Sequence, residues 1–290
     1  MSGTIEEFRQ KQQARRRYKR EQLKRRIIFF SLLILLLAII VAAVVRRPFT
    51  SEPSPSTVPS EINVAELQLY PQPPVKNPDL LQAMKVTDGI RACYLTFDDG
   101  PTNSVTPRIL DTLRRYQIRA TFFTVGSLLD ANPDIARRLW EEGHCIANHS
   151  YAHSYSKLYA DPTSFMNEIN KTFDLIQNIS GKPLTNKIFR FPGGGFDSGY
   201  WGPTKQTYKQ LLSENQISYC DWNALNGDSE TSELLLPEQL LERVKKTTKA
   251  EDVVILMHDA AAKTTTADSL PAVLDYLIGQ GFVFRGLDEI

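Results

Sequence analysis

Cysteine and histidine are both scarce here: the 290 residues include three cysteines and four histidines. Cys93, Cys145 and Cys220 fit no spaced disulfide framework. Their odd number leaves at least one thiol unpaired, and no C-x-x-C pair exists to hold a metal. Each cysteine lies within or beside a short apolar run, which predicts a small buried core residue. Internal repeats are also missing, which excludes a solenoid or array. A basic surface is lacking over most of the length: beyond Arg47, 22 Lys or Arg face 30 Asp or Glu, a balance of about −8. That balance argues against a nucleic-acid partner.

Long apolar runs are absent with one exception. Residues 27–45, "IIFFSLLILLLAIIVAAVV", are interrupted only by Ser31 and are flanked by Arg25-Arg26 and Arg46-Arg47. Nineteen residues as a helix span roughly 28 Å, about one hydrocarbon core, so the run predicts a transmembrane helix. A cleaved signal peptide fits less well, because the apolar part is too long and no A-x-A site closes it. Ten Lys or Arg against three Glu in residues 1–26, with only two Arg just beyond the helix, place that basic tail in the cytoplasm and the bulk of the chain outside. Residues 46–87 are rich in Pro and Ser ("PFTSEPSPSTVPSEINVAELQLYPQPPVKNPD" from Pro48) and read as a stalk that holds a domain away from a bilayer.

From residue 88 to 290, short apolar runs alternate with longer amphipathic ones. Strands are predicted at Ala92–Phe97, Ala120–Val125, Cys145–Asn148, Ile188–Phe191, Ile217–Trp222, Val253–Met257 and Phe282–Phe284. Between them, Asn132 and Pro133 open a helix that Gly143 ends, and Phe165, Ile169, Phe173 and Ile176 share one face of another. Strands alternating with helices predict an α/β fold with a largely parallel sheet, a barrel if it closes, and chemistry at the strand C-termini.

Four strand ends carry candidate residues. "YLTFDDGPT" sets Asp98 beside Asp99 after a buried run, an arrangement that unpaired charges would make costly. A metal would divide their duties, one carboxylate binding it and the other remaining free as a base. "ANHSYAHS" spaces His149 and His153 four apart, which a helix face or a tight turn brings together. One Asp and two His match a catalytic zinc site with open positions, and the same set serves non-haem iron. "FRFPGGG" carries Arg190 and three glycines whose backbone N–H groups a ligand can approach, and "VVILMHDA" ends in His258.

Taken in order, "TFDDGPT", "GHCIANHSYAH", "FRFPGGG", "DWNALNGDS" and "VILMHD" resemble the five motifs of the polysaccharide deacetylase family, the NodB-homology domain of carbohydrate esterase family four, over residues 88–290. The resemblance implies a distorted (β/α) barrel and a divalent metal, zinc first, that together remove acetyl groups from glycans. It further implies Asp98 as catalytic base, Asp99, His149 and His153 as metal ligands, and Arg190 as partner of the base. Gly193 would hold the oxyanion through its N–H, and Leu256 would pack around the acetyl methyl. Asp228 would support His258 as catalytic acid. Many relatives carry an aromatic residue after the motif-three proline and a tryptophan after the motif-four aspartate, where this chain has Gly193 and Ser229. Tyr200, Trp201 or Trp222 could replace them, with a core role for Trp222 the simpler expectation.

The expectation is therefore a single-pass membrane protein whose outer domain deacetylates an acetylated glycan, N-acetylated sugars of peptidoglycan foremost. A chitin-oligosaccharide deacetylase and a xylan O-acetyl esterase are the enzymatic alternatives, and a non-catalytic wall-binding module is the alternative of another class.

Overall fold

The computed structural model describes residues 78–84, 89–197 and 202–290. The basic tail at 1–26, the apolar run at 27–45 and most of the stalk lie outside the described residues, as do Tyr200 and Trp201. Among the described residues no helix is long and apolar enough to cross a membrane.

A short helix α1 (Leu80–Ala83) precedes strand β1 (Ala92–Gly100), which leads to α2 (Thr106–Tyr116). Strand β2 (Thr121–Thr124) is followed by α3 (Gly126–Ala131) and α4 (Pro133–Glu141), and β3 (Cys145–Asn148) by α5 (Tyr155–Leu158) and α6 (Pro162–Ser180). Then come β4 (Lys187–Phe189), α7 (Gly202–Glu214), β5 (Ile217–Tyr219), β6 (Ala224–Leu225), α8 (Pro237–Thr247), β7 (Val253–His258), α9 (Thr264–Gly279) and β8 (Val283–Phe284).

The strands run parallel in the order β5-β4-β3-β2-β1-β7-β6, with β8 paired to the first two residues of β1. The expected barrel does not close among the described residues: β5 and β6 are the two edges, and the sheet is an open half-barrel. Two causes are visible. Strand β6 has two residues, and the chain leaving β5 turns the carbonyls of Cys220 and Asp221 toward the Arg190 side chain instead of a neighbouring strand. For the same reason β4 and β5 end at Phe189 and Tyr219, short of the predicted Phe191 and Trp222.

Strand alternation sorts side chains between two faces. On β1 and β7, Cys93, Leu95, Phe97, Val253, Ile255 and Met257 pack outward against helices, with Leu110 and Leu274 among their partners. On the other face Tyr94, Phe123, Ala147, Ile188 and Val254 fill the interior of the half-barrel, joined by all of Cys145, Cys220 and Leu80. The three cysteines are buried and unpaired, as expected. Burial pushes the thiols of Cys145 and Cys220 up to about 12.

Part of the predicted stalk is visible. Residues 78–84, assigned to it above, pack onto the domain: Asp79 caps α1 through its side chain, Leu80 enters the interior core, and Asp79 bridges to Tyr219. Proline density hid this docking segment from a reading of composition. Asn132 does stand at the start of α4, but its side chain does not cap it. Its amide donates to the carbonyls of Pro101 and Leu128 at 3.0 and 3.1 Å, tying the loop after β1 to α3.

The predicted face of α6 is buried along its length, and Phe165 at its N-terminal end is stacked on Tyr208 with ring centroids 4.2 Å apart and edge-on to Phe189. Replacing Phe165 by Ala should lower the unfolding free energy by about 3–5 kcal/mol, measured by chemical denaturation of the purified protein.

Candidate active site

Thr96 and Asp98 follow Tyr94 on the inner face of β1, by alternation. Asp99 should then point outward. It does not, because β1 bulges there: Asp98 pairs with Phe123 and Gly100 with the next residue, Thr124, so that Asp99 is skipped. Its φ of 73° lies in the left-handed region, which aspartate tolerates at modest cost. Both carboxylates thereby reach one hollow at the C-terminal end of the sheet.

The two histidines arrive there on a turn, not a helix. Asn148 accepts the N–H of Ser150 through its side chain, Ser150 Oγ accepts the N–H of His153, and Glu168 accepts that of Ala152. Ser150 and His153 have φ of 70° and 48°, again left-handed. Such strain concentrated in one loop is characteristic of functional sites.

The ligating atoms of Asp99, His149 and His153 lie within 4.8 Å of one another. Asp99 Oδ1 is 3.2 Å from His153 Nε2 and 3.5 Å from His149 Nε2. His149 Nδ1 donates to the Arg190 carbonyl at 2.9 Å, which leaves the Nε2 lone pair turned toward Asp99. Burial pushes this imidazole down to about 3, so it stays neutral. Asp99 Oδ1 is itself buried without a hydrogen-bond partner. Lone pairs that converge in this way repel one another unless a cation sits among them, and the donor set suits a divalent metal.

Beside this cluster, Asp98 Oδ1 accepts from Arg190 Nη1 at 2.8 Å, while Oδ2 lies 3.8 Å from His149 Nε2. Burial pushes the Asp98 carboxyl upward, opposed first by Arg190 and then by His258. Arg190 is completely buried. Its Nε and Nη2 donate to the carbonyls of Cys220 and Asp221, its Nη1 also reaches Thr96 Oγ1, and its guanidinium lies 3.9 Å over the Phe123 ring. It is no surface ion pair.

His258 is the register partner of Asp98 on β7. Asp228 accepts from its Nδ1 at 2.7 Å and from its backbone N–H at 2.9 Å, and Thr266 donates to the same carboxylate. Burial alone would lower the His258 pKa. The Asp228 hydrogen bond and charge, with help from Asp98 and Asp99, outweigh it and raise the value to about 9. The pair is an imidazolium held by a carboxylate. Leu256 is buried two residues back on the same face.

Gly193 has φ 73°, and its N–H has no acceptor among the described residues. A Cβ there would stand 2.6 Å from the hydroxyl oxygen of Tyr155, so a side chain at this position would require the tyrosine to move. Ser229 is exposed. Trp222 contacts the interior core, yet it also meets the exposed Phe196 edge-on at 5.2 Å and lies 5.6 Å from the Arg190 guanidinium. It is core and site wall at once.

Several participants were given no role by the sequence. Asp221 accepts the Gly195 N–H at 2.7 Å, and Lys205 donates to the Gly194 carbonyl, so the glycine loop is gripped from both sides. Burial raises the Asp221 carboxyl and lowers the Lys205 ammonium. Asp259 is buried beneath the loop after β1: its N–H bonds the Asp98 carbonyl, its carboxyl accepts from Thr106, and a Cβ on Gly100 would come within 1.9 Å of it. Burial, then the charges of Asp99 and Asp98, push this carboxyl up to about 7. These are single residues far apart in the chain: Asp221 and Asp259 stand at the ends of the quoted "DWNALNGDS" and "VILMHD" without a role assigned to them, and Lys205 stands in no motif.

Residues 85–211 match the family model described as polysaccharide deacetylase. The Bacillus subtilis protein YheN is 31% identical over 218 residues, 73% of this chain and 74% of that one. The Listeria monocytogenes peptidoglycan-N-acetylglucosamine deacetylase PgdA is 32% identical over 199 residues, but the match spans only 38% of its length. Among solved structures, the catalytic domain of a peptidoglycan N-acetylglucosamine deacetylase from Eubacterium rectale superposes with a TM-score of 0.63 at 26% identity, covering 71% of this chain and 93% of that one.

Two outcomes follow from the geometry. Asp99→Ala should weaken divalent-cation binding, read by titration calorimetry with Zn2+, by more than the roughly 10–100-fold cost of losing an outer partner, whereas Ser229→Ala should leave it unchanged. For His258 the folded value near 9 lies above the ordinary 6.5, so its stabilising contribution is complete below about 6.5 and is lost as pH rises through about 9. In chelated protein the unfolding free energy should fall about 2 kcal/mol more between pH 7 and 10 than in Asp228→Asn, measured by denaturant titration at each pH.

Proposed function

The chain belongs to the polysaccharide deacetylase family, and we propose that it is a metal-dependent hydrolase that removes acetyl groups from the N-acetylated sugars of peptidoglycan. The observation that carries this reading is the bulge at Asp99, which joins one aspartate to two histidines and leaves its neighbour with one oxygen bound to Arg190 and the other facing the hollow. Asp99, His149 and His153 would hold the cation, and zinc suits the donor set best. When bound, such a cation supplies Lewis acidity and a water of lowered pKa.

The residues then divide the work. Asp98 Oδ2 takes the proton of the attacking water, with Arg190 fixing the other oxygen and favouring the ionised form. The N–H of Gly193 donates to the acyl oxygen as charge develops on it, an interaction of a few kcal/mol when preorganised. An amine leaves poorly unless protonated. His258 gives its proton to the departing nitrogen, and Asp228 keeps the imidazole charged and correctly turned. Leu256 bounds the space that the acetyl methyl would enter.

Peptidoglycan is the first substrate because it is the glycan that the related deacetylases are named for, and because the apolar run at 27–45, with its basic flank, would anchor the domain just outside a membrane with the N-terminus in the cytoplasm. An O-acetyl esterase would use the same base and metal but depend less on His258, since an alkoxide leaves more easily than an amine.

Purified protein should release acetate from peptidoglycan or N-acetylglucosamine oligomers, lose that activity to a chelator and regain it with Zn2+. Unchanged release after complete metal removal would refute the mechanism. His258→Ala should cost about 100-fold or more in kcat on N-acetyl substrates and distinctly less on O-acetylated xylan, compared by initial rates; equal losses on both would argue against an amine protonator.

A further inference from the structure

One polar group in the hollow has no part in the scheme above. Tyr155 begins α5, two residues after His153, and is 37% exposed. Its ring meets His153 edge-on at 6.1 Å and Tyr159 at 5.9 Å, so aromatic contacts on two sides set its direction. That direction brings the hydroxyl against Gly193: the oxygen lies 2.6 Å from where a Cβ on residue 193 would stand. The contact exists only because residue 193 has no side chain, and its φ of 73° is one that other residues rarely adopt.

Neither group is otherwise engaged. Among the described residues the Tyr155 hydroxyl and the Gly193 N–H have no hydrogen-bond partner. Other donors nearby are tied down, Arg190 by four acceptors and the His258 Nδ1 and Thr266 hydroxyl by the Asp228 carboxylate. The two free donors are therefore neighbours, and the tyrosine ring touches His153, one of the three residues whose ligand atoms converge. Two donors at the rim of a cation site are matched by a group that carries a growing negative charge on one oxygen.

We propose that the Tyr155 hydroxyl is a catalytic donor to the acyl oxygen of the bound substrate, acting beside the N–H of Gly193. The proposal rests on the deacetylase reading. It also gives the bare residue 193 a physical reason: the space is kept for a hydroxyl that enters from the turn bearing His153.

Tyr155→Phe removes the hydroxyl and keeps the ring. In the full chain, acting on N-acetylglucosamine oligomers, it should lower kcat at least about tenfold with KM changed less than about twofold. Zn2+ affinity by calorimetry and the melting temperature should match those of the parent protein. A kcat equal to the parent's would overturn the proposal, and so would a loss accompanied by weakened Zn2+ binding or a lowered melting temperature, since the hydroxyl would then be structural. Asp98→Asn, assayed alongside, separates the two levels. An inactive Asp98→Asn with a fully active Tyr155→Phe rejects the tyrosine alone, whereas a parent protein that releases no acetate from these oligomers rejects the deacetylase reading and this inference with it.

Discussion

A fully buried guanidinium has to be satisfied on every side, and the arrangement of this site follows from how Arg190 meets that requirement. Its side chain spans the interior from the end of β4 to Thr96 and Asp98 on β1 and to two carbonyls beyond β5. Its own carbonyl, at the same residue, fixes the tautomer of His149. One residue thus orients a candidate base through its side chain and a candidate metal ligand through its backbone. Removing one partner of a buried pair commonly costs about 3–5 kcal/mol, so stability and site geometry are hard to separate at this point. The same bonds draw the chain after β5 away from the sheet, which is why the half-barrel stays open beside them.

The bulge in β1 solves a separate problem. Regular alternation would send adjacent aspartates to opposite faces, one into the hollow and one among outward-packing apolar side chains. A left-handed Asp99 returns the second carboxylate to the first. Holding that conformation falls to the loop beyond it. Asp259 packs against Gly100 and accepts from Thr106, Thr106 in turn accepts the Thr102 N–H, and the Asn132 amide grips Pro101. The support comes from the end of β7, from α2 and from the start of α4, of which only α2 is near Asp99 in sequence.

What could be read from the chain alone divides along the same line. Apolar periodicity located seven of the eight strands and the buried face of α6, because burial on one side imposes a period whatever the detail. Strand β6, two residues long, has no period to detect. The residues now seen around the hollow were named from their motifs, yet composition could not show that the two aspartates meet by a bulge or that the histidines share a left-handed turn. Tyr155 and Thr266, which stand in no quoted motif, and Asp221 and Asp259, which do, were all left without a role because each acts through a contact with a residue far along the chain, which spacing cannot show. Asn132 does occupy the helix start that its position indicated, but its amide serves as a tether and not as a cap.

The three thiols lie in the interior or in the outward core, and none is near enough to another to be recorded as bonded. With Cys145 and Cys220 ionising only around pH 12, and Cys93 held higher still by burial, thiolate is essentially lacking at any pH the protein would meet. Attack on oxidants, on foreign disulfides or on soft metals needs that thiolate. The fold holds no disulfide to form or break, and it should be as indifferent to reducing agents as to mild oxidants.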